Sequence, residues 1–345
     1  MSEISVAPAR KRIAWVDIAK AVLMYLVFLG HIATYGNKLS TVIFSFHMAA
    51  FFILSGYTFH RKTVFKEFLL SRIKSLILPY FFFCLLGGGM HLLAGEYEFL
   101  NREMVSSVFV STQPDWLFCG AGWFLIALFW ANLMMYAWVK YIDPLPSAVK
   151  GAFILSVYLL ASCILSLIPA FNQTILHIGI TRFPCKMDSG LMALFFMIIG
   201  FYLKKTKLFE MIEKNRKPYF FIILVAYLLV VFSNGWMNIA NCTYGNIWLF
   251  PIEAIGGSLL IYILSSYLAR FTRIKNVLMK IGVISLPMFM IHGYFLHLMD
   301  TVLSIHVSKS VPDGQAYGYA LILFIMIVPL GVLYRYGEKK LYHYI

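Results

Sequence analysis

An amine and an imidazole share one face of the first apolar run. Lys20 and His31 are eleven positions apart, close to three helical turns, so both point the same way with about 16 Å of rise between them. Asp17 lies three residues before Lys20 on nearly the same face. Ionisable groups inside a membrane span are costly and mark function by default. The chemistry they suggest is an anion held near Lys20 and proton transfer at His31, whose unperturbed pKa of about 6.5 suits it to that work. A plainer reading has Asp17 and Lys20 snorkelling to the interface and His31 bonded to a neighbouring helix. Asp17 cannot orient His31 across about 20 Å of helix, so a carboxylate partner must come from another span. Glu253, just after Pro251, is the first candidate.

Other places invite a chemical and a plainer reading side by side. The second run carries His47 towards one end and Ser55-Gly56-Tyr57 towards the other; small residues there also permit close helix contact. Arg72 and Lys74 open the third run, as a phosphate site or as anchors. Pro79 predicts a kink there. Trp123 begins the fourth run, where an aromatic belt would put it. His292, in SLPMFMIHGYFLH (285–297), reads as a supporting group or a hydrogen-bonded bundle histidine. No phosphate-binding loop, dinucleotide glycine fingerprint, zinc-protease motif or nucleophile elbow is present. Metal chemistry, a Ser triad and nucleotide-driven pumping are therefore not expected.

These residues must be positioned by membrane helices. The chain has 345 residues, 61% apolar and 13% charged. Soluble domains carry about 45–50% and about 25%, which argues against a soluble enzyme, a disordered chain and a nucleic-acid binder. Apolar runs fall near 16–34, 41–60, 75–94, 121–139, 151–169, 188–203, 218–234, 248–268, 281–299 and 317–335. The expected fold is all-α and polytopic, with about ten transmembrane helices, because lipid cannot satisfy open backbone groups. Of 29 Lys and Arg, Lys38, Arg102, Arg182, Lys186 and Lys309 fall on one side and Lys20 within a span, which leaves 23 on the other. The positive-inside rule then puts both termini in the cytoplasm. Residues 1–345 read as one domain: a segment 1–15, a bundle 16–335 and a tail 336–345. The first run is too long and too polar for a cleavable signal.

Longer outer stretches are expected near 95–120, 170–187 and 300–316, and a charged cytoplasmic loop at 204–217. Cys84 and Cys163 read as small fillers inside spans. Cys119, Cys185 and Cys242 lie on or near the outer side, where oxidation is possible; their pairing is left open, as is the oligomeric state.

RIAWVDIAKAVLMYLVFLGH (12–31), FSFHMAAFFILSGYTF (44–59) and SRIKSLILPYFFF (71–83) together resemble the integral-membrane acyltransferase family 3. The resemblance is closest to its fucose O-acetylase-like and exopolysaccharide acetyltransferase branch. GWFLIALFW (122–130) and SLPMFMIHGYFLH resemble later family signatures. The resemblance implies a ten-helix core in a bacterial inner membrane. It implies O-acyl transfer from cytoplasmic acyl-CoA, usually acetyl-CoA, to a carbohydrate hydroxyl of a lipid-linked or extracytoplasmic glycan, with no permanently bound cofactor. By position, His31 is the catalytic histidine, Lys20 the basic residue before it, and Arg72 the start of a basic pair with Lys74 nearby. Ala49 stands where the family usually has proline, which predicts a straighter second helix. His31 would act as general base on the acceptor or carry the acyl group itself. A glycan or solute transporter is the rival reading, since polar mid-membrane groups also serve transport.

Overall fold

The computed structural model describes residues 12–93, 95, 101–113, 119–171, 183–301 and 311–344. In chain order the helices are α1 (Ala14–Ile32), α2 (Lys38–Phe44), α3 (His47–Tyr57), α4 (Phe65–Arg72), α5 (Leu78–Leu93), α6 (Arg102–Ser106), α7 (Trp123–Ala137), α8 (Ser147–Phe171), α9 (Met187–Leu203), α10 (Leu208–Lys214), α11 (Arg216–Asn234), α12 (Phe250–Leu268), α13 (Thr272–Val283), α14 (Ser285–Thr301) and α15 (Asp313–Tyr344). Among the described residues there is no strand, only isolated bridges. Among the described residues, nine stretches are long and apolar enough to cross a membrane, or ten if the bent pair α13–α14 counts as one span. The chain is thus an all-α, polytopic membrane protein. Arg10, Lys11, Arg182, Lys309 and parts of the three outer stretches lie outside the described residues.

Helix α1 lies within the bundle: two-thirds of its apolar window (67%) is buried, as in the span of α9 and a little less than the 78% of the second span, against 11% for α11. Around α1 pack α2, α3, α12, α13, α14 and α15. Helices α3 and α9 cross closely. Gly56 lies against the Met197 carbonyl and Gly200 against the Ile53 carbonyl, with no room for a Cβ at either place. Close backbone approach through small residues is how membrane helices gain dispersion contact.

Three interruptions shape the spans. The second span is not straight: it breaks at Ser45–Phe46, just before His47, without a proline. Side chains satisfy the carbonyls freed there. Tyr227 Oη and Ser45 Oγ each donate to Val42 O at 2.8 Å, and His47 Nδ1–H donates to Ile43 O at 2.8 Å. A broken membrane helix is tolerable only with such partners. In the third span, a π-helical turn at Ile73–Ile77 joins α4 to α5 immediately before Pro79. The wider turn absorbs the hydrogen bond that proline cannot make. The expected ninth span is divided, with α13 and α14 bent by 71°. α13 mixes Arg273, Lys275 and Lys280 with Ile274 and Val277, and it docks on the start of α1, where Gly282 lies against the Asp17 carbonyl. At the chain's end, α15 continues to Tyr344 through the segment assigned above to a tail. No proline stands there, the helix passes through Gly337, and Arg335 pairs with Glu338 one turn on.

Candidate active site

Two half-enclosed cavities lie in sequence along α1. The first, about 520 Å³, is lined on α1 by Val16, Asp17, Lys20 and Met24. The second, about 340 Å³, is lined by Val27 and His31. The same face of one helix therefore carries the amine into one cavity and the imidazole into the other, as the eleven-residue spacing requires.

The first cavity is charged at its mouth: Arg12, Lys20 and Arg335 line it together with the carboxylates Asp17 and Glu338, the latter paired with Arg335. Lys20 Nζ is 3.5 Å from Asp17 Oδ1 and partly exposed. Arg12 and Arg335 join it from the two ends of the described chain, with Ser75 at the π turn and Ser55 on α3. Ser55 Oγ donates to Phe51 O at 2.8 Å. Arg72 and Lys74 do not line this space. Arg72 lies over the Phe68 ring at 5.1 Å, and Lys74 is exposed. From the π turn it is the exposed Ser75 and the buried Leu76 that line the cavity. Sequence reasoning counted Arg12 and Arg335 among flanking charges and so missed them. Tyr57 also lies elsewhere, edge-on to Trp15 at 5.0 Å, beside Phe209 and Tyr262.

The second cavity gathers His31, His47, His292 and Trp123. His31 and His292 are stacked, centroids 4.9 Å apart and planes 12° apart. His292 Nδ1–H donates to Phe289 O at 2.5 Å. A carbonyl only accepts, so the Nδ1 of both His292 and His47 carries hydrogen and the neutral ring keeps its lone pair on Nε2. Trp123 is buried in the cavity wall rather than set in an interfacial belt. Gln113, Asn238, His297 and Asp300 complete the polar lining. Behind it, the buried Lys186 donates to Gln113 Oε1 at 2.8 Å and to Ala240 O at 3.0 Å, which ties two wall segments together. The α14 contribution was visible in principle, because His292, Leu296 and Asp300 recur every four residues and His297 flanks them.

The structure does not bring Glu253 into the cavity of His31. Glu253 is buried and accepts a hydrogen bond from Asn234 Nδ2. That amide also donates to Tyr244 O at 3.3 Å, and its oxygen accepts from Asn246 N at 2.5 Å. Being in the first turn of α12, Glu253 faces the end of α11 and the connecting loop, where Asn234 acts as the hub.

The thiols also pair across expected groups: Cys84 and Cys119 are both buried, with sulfurs 3.6 Å apart. No cluster of three His, Cys, Asp or Glu able to hold a metal occurs among the described residues. The arrangement offers one cavity with charged groups at its mouth and a second with an imidazole beside amides and a tryptophan.

A family model described as an acyltransferase domain matches residues 13–336. No curated protein and no solved structure matches the chain.

Proposed function

The chain belongs to the acyltransferase-domain family, and on that premise we propose that it moves an acetyl group from cytoplasmic acetyl-CoA to a hydroxyl of a lipid-linked or extracytoplasmic glycan. Family membership decides for acyl transfer over transport. The observation that carries the finer reading is the run of Lys20 and His31 along one helix face into two successive cavities.

Acyl-CoA has an anionic head and a long thin arm that ends in the thioester. Lys20, Arg12 and Arg335 outnumber Asp17 and Glu338 in the lining, and a phosphate would take the place of those carboxylates on Lys20 and Arg335, with Arg supplying planar forks. The arm then lies along α1, and the rise of about 16 Å from Lys20 to His31 is of the order of its length. Trp123 with the amides of Gln113 and Asn238 suits a sugar, which presents apolar C–H faces and hydroxyls together. The basic flanks argue for a cytoplasmic donor mouth in a cell membrane, with both termini on that side.

His31 acts as general base. The acceptor hydroxyl attacks the thioester carbonyl; the C–O bond forms and the C–S bond breaks. The hydroxyl proton goes to the imidazole and from there to the departing CoA thiolate. Proton transfer of this kind contributes typically about 10²- to 10⁴-fold. Direct attack is favoured over an acyl-imidazole relay because the acceptor groups line the same cavity as His31.

Mass spectrometry of surface glycans from cells with the native protein, with His31→Ala and without the protein tests this reading. One acetyl unit should disappear in both altered strains. Unchanged acetylation in the His31→Ala strain overturns the assignment, and an acetylated His31 trapped from acetyl-CoA without acceptor replaces general-base by covalent catalysis.

A further inference from the structure

Among the described residues, Phe289 is the one that lines both cavities. The division falls at the same level on three neighbouring helices. On α1 it lies between Met24 and Val27, on α3 between Phe51 and Met48, and on α7 between Phe124 and Trp123, the first of each pair facing the Lys20 cavity and the second the His31 cavity. The Phe289 ring fills that level. Its centroid is 5.3 Å from that of Phe124 and 5.7 Å from that of His292, and it is buried. An aromatic septum one ring thick thus separates the Lys20 cavity from the imidazoles.

We propose that Phe289 is the selectivity residue for the acyl group: its ring is displaced by the thioester arm, and it restricts transfer to short acyl chains. The inference rests on the acyl-CoA reading above. In a thioester drawn up from the charged mouth, the acyl group leads, so it is the first part to pass this ring. It must then share the second cavity with the acceptor. That cavity, about 340 Å³, is at the small end of ligand sites, which span about 300–1,000 Å³. Both restrictions disfavour a longer tail. A methylene too many in an apolar site changes selectivity by about tenfold or more.

The test uses membranes of the source cell with their own acceptor, carrying the native chain, Phe289→Ala or Phe289→Leu. Acetyl-CoA and butyryl-CoA, each labelled at the acyl carbonyl, are supplied in parallel, and label reaching the glycan fraction is counted. The ratio of butyryl to acetyl transfer should rise by about tenfold or more in Phe289→Ala, with Phe289→Leu in between. An unaltered ratio in both variants overturns the proposal. So does loss of all transfer in both while acetyl-CoA binding is retained, because the ring then serves the reaction rather than its width. Acetyl transfer by the native protein is the control: its absence overturns the acyl-CoA reading and this inference with it, whereas an unaltered ratio overturns this inference alone.

Discussion

The imidazole of His31 lies flat against that of His292, centroids 4.9 Å apart, while His292 is fixed by its bond to the Phe289 carbonyl. His292 also stacks on Phe28. The geometry makes His292 a plate that aims His31. His31→Ala should lower transfer by at least about 10²-fold while leaving detergent elution intact. His292→Phe keeps a flat ring and should retain more activity than His292→Ala. Rates of label transfer check this, and a His292→Phe variant as inactive as His31→Ala would give His292 a share of the proton transfer.

Donor binding should follow the residues that line the first cavity. Lys20→Ala and Arg335→Ala should each raise the apparent KM for acetyl-CoA by about tenfold, equivalent to ~1.4 kcal/mol, with the effect shrinking at high salt. Arg72→Ala should leave KM near the native value, since Arg72 lies over Phe68 instead. Initial rates against acetyl-CoA concentration separate the two groups.

The α3–α9 crossing should not tolerate a methyl group. Gly56→Ala puts a Cβ onto the Met197 carbonyl, and Gly200→Ala puts one onto that of Ile53. Overpacking costs about 1–3 kcal/mol, and against backbone the relief is small. Each variant should lose thermal stability in detergent; a native melting temperature in both would mean the helices separate freely.

Glu253→Gln should keep transfer and its pH profile, because the amide oxygen can still accept from Asn234 Nδ2. Glu253→Ala should destabilise by about 1–3 kcal/mol through a buried donor left unsatisfied. A large fall in turnover with Glu253→Gln, at native stability, would return the carboxylate to the proton path.

What the sequence made legible was periodic. Hydropathy gave the crossings, and helical period put Lys20 and His31 on one face. Motif resemblance reached the family, which the match over residues 13–336 shows. What stayed hidden was set by tertiary contact. Nothing local says that Arg12 and Arg335, near opposite ends of the described chain, meet at one mouth. Nothing local says that Glu253 turns to Asn234, or that Cys84 lies beside Cys119. The break before His47 was obscured because the usual breaker is absent; Ser45, His47 and Tyr227 supply the missing partners, and Tyr227 is remote in sequence.

A wall one side chain thick has an electrical consequence. With the ring in place the two chambers, under the septum proposed above, do not join into a pore among the described residues, and ions gain no route from one to the other. Under the reaction proposed, an acyl unit goes outward and the alcohol's hydrogen returns inward to the thiolate. The exchange is charge-balanced: the transmembrane voltage neither drives turnover nor opposes it, and a de-energised cell would acylate at the same equilibrium.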